Sequence, residues 1–201
     1  WSQGEYPDAN NFQDDLVVIT QNGLAFRVDD FGNSIGTAAL LTGTSIVTNA
    51  NIERTTDADF FAFQSGAGTV QITVTPWERG ANLHLLVTLY DSLGAVLTNR
   101  EVADTSSGVQ PVAISRFVGT GGGYVSVEGI GSGDPLTTGY SDYASLGQYT
   151  LAITLPGTGS WLPTAGGAYS WSNIVNWASG NVPDAPDMTA YITNNIVGDQ
   201  V

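Results

Sequence analysis

The sequence predicts an all-β chain whose centre is an antiparallel β-sandwich of the jelly-roll or Ig-like type. Short runs of alternating apolar and polar residues, bounded by Gly, Asn, Asp and Pro, recur about every ten to fifteen residues. Helical periodicity is nearly absent. The chain has 201 residues, of which 42% are apolar, so it is long enough to bury a core although it contains no cysteine for disulfides.

The strands of the predicted sandwich can be placed by this alternation. Residues 70–75 and 83–90 alternate most regularly, and each run can bury one face. The sequence Asp91-Ser92-Leu93-Gly94 is typical of a hairpin turn. We expect about seven or eight strands between residues 35 and 155. The clearest are residues 60–63, 70–75, 83–90, 112–118, 124–128 and 149–155.

Composition changes on both sides of this block and predicts three segments. Residues 1–28 form an N-terminal extension rich in Asp, Asn and Gln, in which the apolar run 16–19 is a short helix or an added strand. Residues 29–155 form the sandwich. Residues 156–201 begin with a Pro-Gly-Thr-Gly-Ser linker and continue into a small or truncated Trp- and Gly-rich β module. Because the chain starts at Trp1, we expect it to be a processed or excised piece.

The charge balance excludes several classes of partner. Five arginines and no lysine stand against 19 acidic residues, which gives a formal net charge of −14. Nucleic-acid binding requires clustered basic residues, so we expect no nucleic-acid partner. No apolar run approaches the roughly 20 residues that span a bilayer. The acidity suits an exported protein in a calcium-rich extracellular setting, or serves solubility alone.

The residues offer little for catalysis. A Ser–His–Asp arrangement needs a histidine, and the sequence has only His84, which falls within a predicted strand as a solvent-facing or sheet-packed residue. There is no zinc-binding His–Glu motif. Nineteen carboxylates always offer glycosidase-like pairs, but no spacing selects one. We therefore expect no catalytic residues and no enzymatic activity in this chain.

Two short stretches concentrate oxygen ligands of the kind that calcium prefers. Residues 29–33 carry two carboxylates and an amide around a glycine, and residues 53–59 carry three carboxylates. Asp57 and Asp59 share strand parity, so their side chains leave the backbone on one side. Two carboxylates about 4 Å apart repel by about 4 kcal/mol at an effective dielectric near 20, and a cation with about six to eight oxygen ligands offsets that repulsion. Alternatively, the first pair caps a turn and the second is solvated.

Aromatic residues outside the predicted core are candidate contacts for a polymer. Tyr140 and Tyr143 flank a Ser-Asp pair in a long polar loop, where they form an exposed contact surface or pack their rings to pin the loop. Trp77 is a third candidate. The tail tryptophans form sugar-stacking platforms or fill the core of the last module. The polymer would be collagen-like or a polysaccharide.

Four stretches of the chain resemble the bacterial pre-peptidase C-terminal domain, which accompanies secreted proteases and other exported enzymes. They are residues 52–63, 79–83, 89–91 and 139–149, and the resemblance covers about residues 29–155. It implies a β-sandwich in which calcium bridges the N-terminal linker to the strand that carries the Asp-x-Asp-x-aromatic pattern. The metal positions that the resemblance implies are Asp29, Asp30, Asn33, Asp57 and Asp59.

The flanking segments carry two shorter resemblances. Residues 1–28 resemble the closing segment of a metzincin-type metalloprotease domain, and residues 171–177 are similar to the opening rung of β-helical repeats in bacterial surface proteins. Together with the resemblance to the pre-peptidase C-terminal domain, they imply a non-catalytic, calcium-stabilised accessory module of a secreted or cell-surface protein, with the neighbouring catalytic domain as its partner. The alternative is a structural surface or filament protein that self-associates by edge-strand pairing.

Overall fold

The computed structural model confirms the predicted antiparallel β-sandwich. It describes residues 2–79, 82–102, 110–157, 159, 161–177, 182–183, 190, 192 and the backbone of 197–200. The helix α1 is Asp15–Gln21, and short 3-10 turns occupy Ile35–Thr37, Asp142–Ala144 and Ile174–Asn176. The strands are β1 Ala39–Leu40, β2 Ser45–Ile52, β3 Ala58–Ser65, β4 Gly68–Pro76, β5 Leu85–Asp91, β6 Val96–Glu101, β7 Val112–Val118, β8 Gly121–Gly129, β9 Gly147–Thr154, β10 Ala165–Gly167 and β11 Val197–Gln200.

Two sheets make up the sandwich. One has the strand order β1-β3-β8-β5-β6 and the other the order β2-β9-β4-β7. Every pairing within them is antiparallel except β1 with β3, which is parallel. The predicted hairpin turn is present between β5 and β6, where the Gly94 amide donates to the carbonyl of Asp91 over 3.1 Å. The alternation pattern does not reveal β2, whose eight residues all pair with β9.

The core lies between the inner faces of the two sheets. Along β4, Val70, Ile72 and Val74 are fully buried and alternate with outward-facing polar residues, as predicted. In β9, Tyr149 and Leu151 are buried in the same way. Each fully buried aliphatic side chain contributes about 1.5–3 kcal/mol to folding relative to an exposed one. This alternation over nine- and eight-residue strands is why the chain forms sheets rather than helices.

In the N-terminal extension, the apolar run 16–19 is a short helix and not an added strand, because it belongs to α1. The carboxylate of Asp14 caps the helix by accepting from the Val17 amide over 2.8 Å. The hydroxyl of Tyr143 accepts from the Leu16 amide at 2.9 Å and donates to Oδ1 of Asp14 at 2.5 Å. These bonds fasten α1 to the loop before β9. Within the described residues, no helix is long and apolar enough to cross a membrane.

The described part of the tail is organised by tryptophan. Trp161 and Trp177 pair in a β-bridge, and both are buried. Trp171 stays half-exposed, with its ring edge-to-face against Trp177 at 4.6 Å between centroids. The tail tryptophans therefore mostly fill a small core, and most of the rest of the predicted module lies outside the described residues.

Candidate metal centre

A tight turn between β2 and β3 brings two acidic residues together. The Glu53 amide donates to Oδ2 of Asp57 over 2.9 Å, and the Asp57 amide donates to the carbonyl of Arg54 over 3.1 Å. The side chain of Asp57 thus closes its own turn, as short polar side chains do at such positions. As a result, Glu53 and Asp57 lie beside each other where β3 begins.

Asp59 lies one residue into β3 on the side that faces the core. The inward positions of this strand are Asp59, Phe61, Phe63 and Ser65. The carboxyl group of Asp59 is completely buried, and its Oδ2 accepts a hydrogen bond from the hydroxyl of Tyr149 at 2.6 Å. A carboxylate in such a place is costly unless it is paired or bound to a cation.

Residues 29–33 run alongside the start of β3 and carry Asp29 to the same place. The ring of Phe31 packs on Phe61 with 4.7 Å between centroids. The carbonyl of Gly32 accepts from the Phe60 amide at 3.1 Å. A side chain at Gly32 would have to occupy space that is filled by Thr37, since a Cβ there would come within 2.4 Å of its hydroxyl. The segment is therefore fixed by backbone and aromatic contacts, not by its acidic residues alone.

Three carboxylates meet at this point. One oxygen from each of Asp29, Asp57 and Asp59 lies within 4.8 Å of the others. Asp57 is 7% exposed and Asp59 0%, so the alternative in which this pair is solvated is wrong. Asp29 is exposed and brings the third carboxylate from the N-terminal side. We call these three residues together with Glu53 the acidic cluster.

Several oxygens of the acidic cluster are buried without a hydrogen-bond donor. They are both carboxylate oxygens of Glu53, Oδ1 of Asp57 and Oδ1 of Asp59, among the residues that the structure describes. Glu53 is only 8% exposed. Buried polar atoms in folded proteins nearly always have partners, because an unsatisfied buried group costs stability. Four unpartnered carboxyl oxygens in one place indicate that the protein itself does not supply all the partners these groups need.

The electrostatics of the acidic cluster oppose its ionisation. Burial, followed by a contact with the Asp57 carboxyl and the charges around it, raises the pKa of Glu53 to about 8. Burial also raises the pKa of Asp59 to about 8, although the hydrogen bond from Tyr149 acts in the opposite direction. The pKa of Asp57 is raised by burial too, against the lowering effect of the Glu53 amide. Either protons or a cation must therefore compensate these charges near neutral pH.

Two of the residues expected to bind metal have other contacts. Oδ2 of Asp30 accepts from both the backbone and side-chain amides of Asn51, at 3.1 and 2.9 Å. Asn33 donates from its side-chain amide to Oδ2 of Asp29 at 2.9 Å and accepts from the Ala58 amide at 2.9 Å. Asn33 therefore positions Asp29, and Asp30 contributes negative charge beside the acidic cluster.

Glu53 is the member of the acidic cluster that the expected metal set lacks. Residues 53–59 are recognisable as acidic in the sequence. However, if the alternation of β2 continued past the buried Ile52, the side chain of Glu53 would face solvent. The turn at Arg54 ends the strand at Ile52 and redirects the side chain inward. No signal in the spacing of the residues reveals that change of direction.

A cleft of about 450 Å³ leads to the acidic cluster, and its walls include Asp29, Glu53 and Asp57. The guanidinium of Arg54 stacks over the ring of Phe26, with its Cζ at 4.7 Å from the centroid. Both residues also line the cleft. The cleft therefore opens beside the acidic cluster.

The ligand chemistry of the acidic cluster fits a hard cation. Its donors are all carboxylate oxygens, and calcium takes about six to eight oxygens from carboxylates, carbonyls and water. Among the described residues, the four buried oxygens of Glu53, Asp57 and Asp59 have no hydrogen-bond donor when the carboxylates are ionised. Zinc prefers nitrogen and sulfur ligands, and the chain has no cysteine and one histidine, which lies outside the cluster.

The other predicted contact residues lie elsewhere. Tyr143 is buried rather than exposed, because its hydroxyl is engaged by α1, and so the expectation of an exposed pair of tyrosines is corrected. Tyr140 is partly exposed, and its hydroxyl lies 2.9 Å from Nδ1 of His84. His84 precedes β5 and is buried, not solvent-facing. Trp77 follows β4 and is half-exposed.

No protein-family model matches this sequence, and no curated protein matches it. Among solved structures, the chain is similar to the pre-peptidase C-terminal domain of a collagenase from Bacillus anthracis. The two share 11% identity at a TM-score of 0.43, over 64% of this chain and 98% of that domain.

Two further solved structures are similar at comparable levels. CorA, described as a surface-associated copper-binding protein of Methylomicrobium album BG8, shares 12% identity at a TM-score of 0.43, over 60% of this chain and 98% of CorA. A family 35 carbohydrate-binding module from Clostridium thermocellum shares 11% identity at a TM-score of 0.32, over 56% of this chain and 89% of the module. The sandwich architecture itself follows from the strand pairing of this chain.

Proposed function

We propose that this chain is a non-catalytic accessory module of a secreted bacterial multidomain protein, in which calcium at the acidic cluster stabilises a β-sandwich of the pre-peptidase C-terminal type. The observation that carries the proposal is the meeting of Asp29, Asp57 and Asp59 within 4.8 Å beside the buried, unpartnered carboxylate of Glu53. The sequence resemblance over residues 29–155 supports the family.

Calcium is the cation that best accounts for the arrangement. The carboxylates of Glu53 and Asp59 ionise only near pH 8 in the absence of a cation. A bound divalent ion favours the ionised forms, because its attraction to each carboxylate outweighs the repulsion between the carboxylates. Magnesium demands nearly ideal octahedral geometry and keeps its waters, whereas calcium tolerates a crowded set of carboxylates.

The ion would join two parts of the chain that are distant in sequence. Asp29 comes from the segment that precedes the sandwich, whereas Glu53, Asp57 and Asp59 belong to the β2–β3 turn and to β3. A cation held by Asp29, Asp57 and Asp59 would fix the direction in which the chain enters the sandwich. The module then stabilises and spaces whatever domain precedes it, which we propose to be a protease catalytic domain, on the resemblance of residues 1–28 to the end of a metzincin-type domain.

Calcium titration tests the proposal. We expect heat of binding by isothermal titration calorimetry, and a rise of about 5–10 °C in Tm at 100 times the Kd, because ligand binding of that excess adds about 2.7 kcal/mol to the stability of a chain of this size. Asp57→Asn and Asp59→Asn should abolish the response. Glu78→Gln, which removes an equally negative but exposed side chain, should keep it.

Magnesium at the same concentration serves as the control for ionic strength and charge. We expect it to produce a small shift at most. Equal melting of the wild-type protein in EDTA and in calcium would overturn the proposal, and so would a calcium response that Asp57→Asn and Asp59→Asn leave unchanged.

A further inference from the structure

A second cavity lies at the opposite end of β3 from the acidic cluster. Asp59 and Ser65 both face inward on this strand, six residues apart, which corresponds to about 20 Å along a β-strand. The cavity has a volume of about 280 Å³ and includes Ser65 in its lining. It opens where the β5–β6 and β7–β8 hairpins end the sandwich.

The residues that line the cavity include Gly119, Gly122 and Gly123. On the strand next to β3, Gly121 pairs with Ser65 and Gly123 pairs with Phe63. A Cβ placed on Gly121 would meet nothing within 4 Å, and the φ of +139° at this residue favours glycine. A Cβ on Gly119, which does line the cavity, would also meet nothing within 4 Å, so the space at that position is open.

The walls combine apolar and polar groups. Phe63, Leu97 and Val118 supply an apolar surface from both sheets. The ring of Phe117 belongs to the lining and is 61% exposed, which leaves much of it open to a ligand. Asp91 also lines the cavity, and its Oδ1 accepts from the Leu93 and Ala95 amides. That bonding fixes the orientation of the carboxylate.

Ser65 contributes a hydroxyl that lacks a partner. The residue is 1% exposed, and its Oγ has no hydrogen bond among the described residues. An unsatisfied buried hydroxyl costs stability, and a ligand hydroxyl that reaches it recovers that cost. The unpartnered hydroxyl of Ser65 and the exposed ring of Phe117 are separate observations. Both are accounted for by one ligand that has hydroxyl groups as well as an apolar face.

We propose that this cavity binds one ring of a neutral saccharide. A sugar has an apolar C–H face that packs on an aromatic ring, and its hydroxyls donate to carboxylates and exchange hydrogen bonds with a serine. In this cavity those partners are Phe117, Asp91 and Ser65. A purely apolar occupant would leave Ser65 unsatisfied, so the mixed walls favour the sugar.

Charge restricts the saccharide to the neutral class. No arginine is among the described residues that line the cavity, and the chain has no lysine and a net charge of −14. An acidic polysaccharide would be repelled by the chain as a whole and by Asp91 at the cavity. The site is also separate from Trp77 and Tyr140, which do not line it.

Native gel electrophoresis in cast polysaccharides tests this site. The probes are a soluble β-glucan, a xylan and a galactomannan, with polygalacturonate as the acidic comparison. We expect retardation by at least one neutral polymer and none by polygalacturonate. Phe117→Ala should weaken binding about tenfold, as the loss of one stacking aromatic ring does. Val47→Ala, an exposed apolar residue on β2 outside the cavity, is the matched control and should bind normally.

Ser65→Ala separates binding from folding. Because it removes an unsatisfied hydroxyl, its Tm should not fall, whereas its retardation should weaken. The proposal is overturned if no neutral polymer retards the protein, if Phe117→Ala and Ser65→Ala bind as wild type does, or if Trp77→Ala alone removes binding. None of these outcomes depends on whether calcium binds.

Discussion

The hydroxyl of Tyr149 donates to Oδ2 of Asp59 over 2.6 Å, and neither residue has any exposed surface. The bond joins β9 in one sheet to β3 in the other, across the space between the two sheets. The burial of Tyr149 and the adjacent charge of Asp59 both raise the pKa of the phenol, which therefore keeps its proton throughout the physiological range. A donor of this kind orients Asp59 and leaves its Oδ1 free for a cation.

Tyr149→Phe should weaken both folding and calcium binding. With calcium bound, Asp59 is ionised, and the loss of a hydrogen bond to a charged group costs about 1.5–3 kcal/mol. Urea denaturation in saturating calcium measures this cost, and calorimetry measures the accompanying rise in Kd. Tyr90→Phe removes a comparable but neutral bond to Ser126 and should cost about 0.5–1.5 kcal/mol. Equal losses in the two variants would contradict the assigned role of Tyr149.

The stability of the protein in EDTA should fall as the pH rises from about 4.5 to about 8. Burial raises the folded-state pKa of Glu53 and Asp59 to about 8, so between these limits the folded state binds more protons than the unfolded state does. Stability is therefore greatest below the unfolded pKa and levels off above the folded value. Thermal denaturation across this range measures the slope.

Calcium should make the stability depend less on pH, because the bound cation takes the place of the protons that neutralise Glu53 and Asp59 in EDTA. Asp59→Asn should reduce the slope in EDTA as well, since one of the carboxyl groups with a raised pKa is then absent. A Tm in EDTA that rises between pH 5 and 8 would contradict the raised pKa values of Glu53 and Asp59.

Tyr143→Phe should release α1 from the loop before β9. The hydroxyl makes two bonds to the N-terminal segment, and burial, together with the bond to Asp14, raises the pKa of Tyr143 to about 12. Without them, amide exchange in residues 15–21 should become at least about tenfold faster. Hydrogen–deuterium exchange with mass spectrometry measures this. Calcium affinity should stay unchanged, and unaltered exchange would mean that other contacts hold the helix.

Gly123→Ala and Gly119→Ala form a matched pair. A Cβ on Gly123 would lie 2.6 Å from Cζ of Phe63 and 2.9 Å from the carbonyl oxygen of Tyr90, whereas a Cβ on Gly119 would meet nothing within 4 Å. Overpacking of this kind costs about 1–3 kcal/mol. We therefore expect Gly123→Ala alone to lower the free energy of unfolding, as measured in urea. Similar stabilities of the two variants would contradict the close packing of β8 against β3.

Strong alternation made most of the sandwich predictable. The runs around β4, β5 and β9 have long apolar side chains at every second position, and burial follows that period. β2 has Asn49 and Asn51 in its second half and few large apolar residues. Its strand conformation comes from pairing with β9 over its whole length, a tertiary effect that local sequence does not encode.

The acidic cluster was predictable as to composition but not as to geometry. The two acidic stretches were visible in the sequence, and the structure brings Asp29, Asp57 and Asp59 together. The inward turn of Glu53 depends on where β2 ends, and the contacts of Asp30 with Asn51 depend on how the N-terminal segment crosses β2. Such details arise from packing between segments, which spacing along one chain does not determine.

The fastening of α1 by Tyr143 also determines how the module carries mechanical load. Because Asp14 is tied to the loop that leads directly into β9, a pull on the chain before residue 14 reaches the sandwich through that loop without extending residues 22–38 first. Residues 22–38 therefore lie between two attachments to the sandwich, one through Tyr143 and one through β1, and such a pull does not have to extend them.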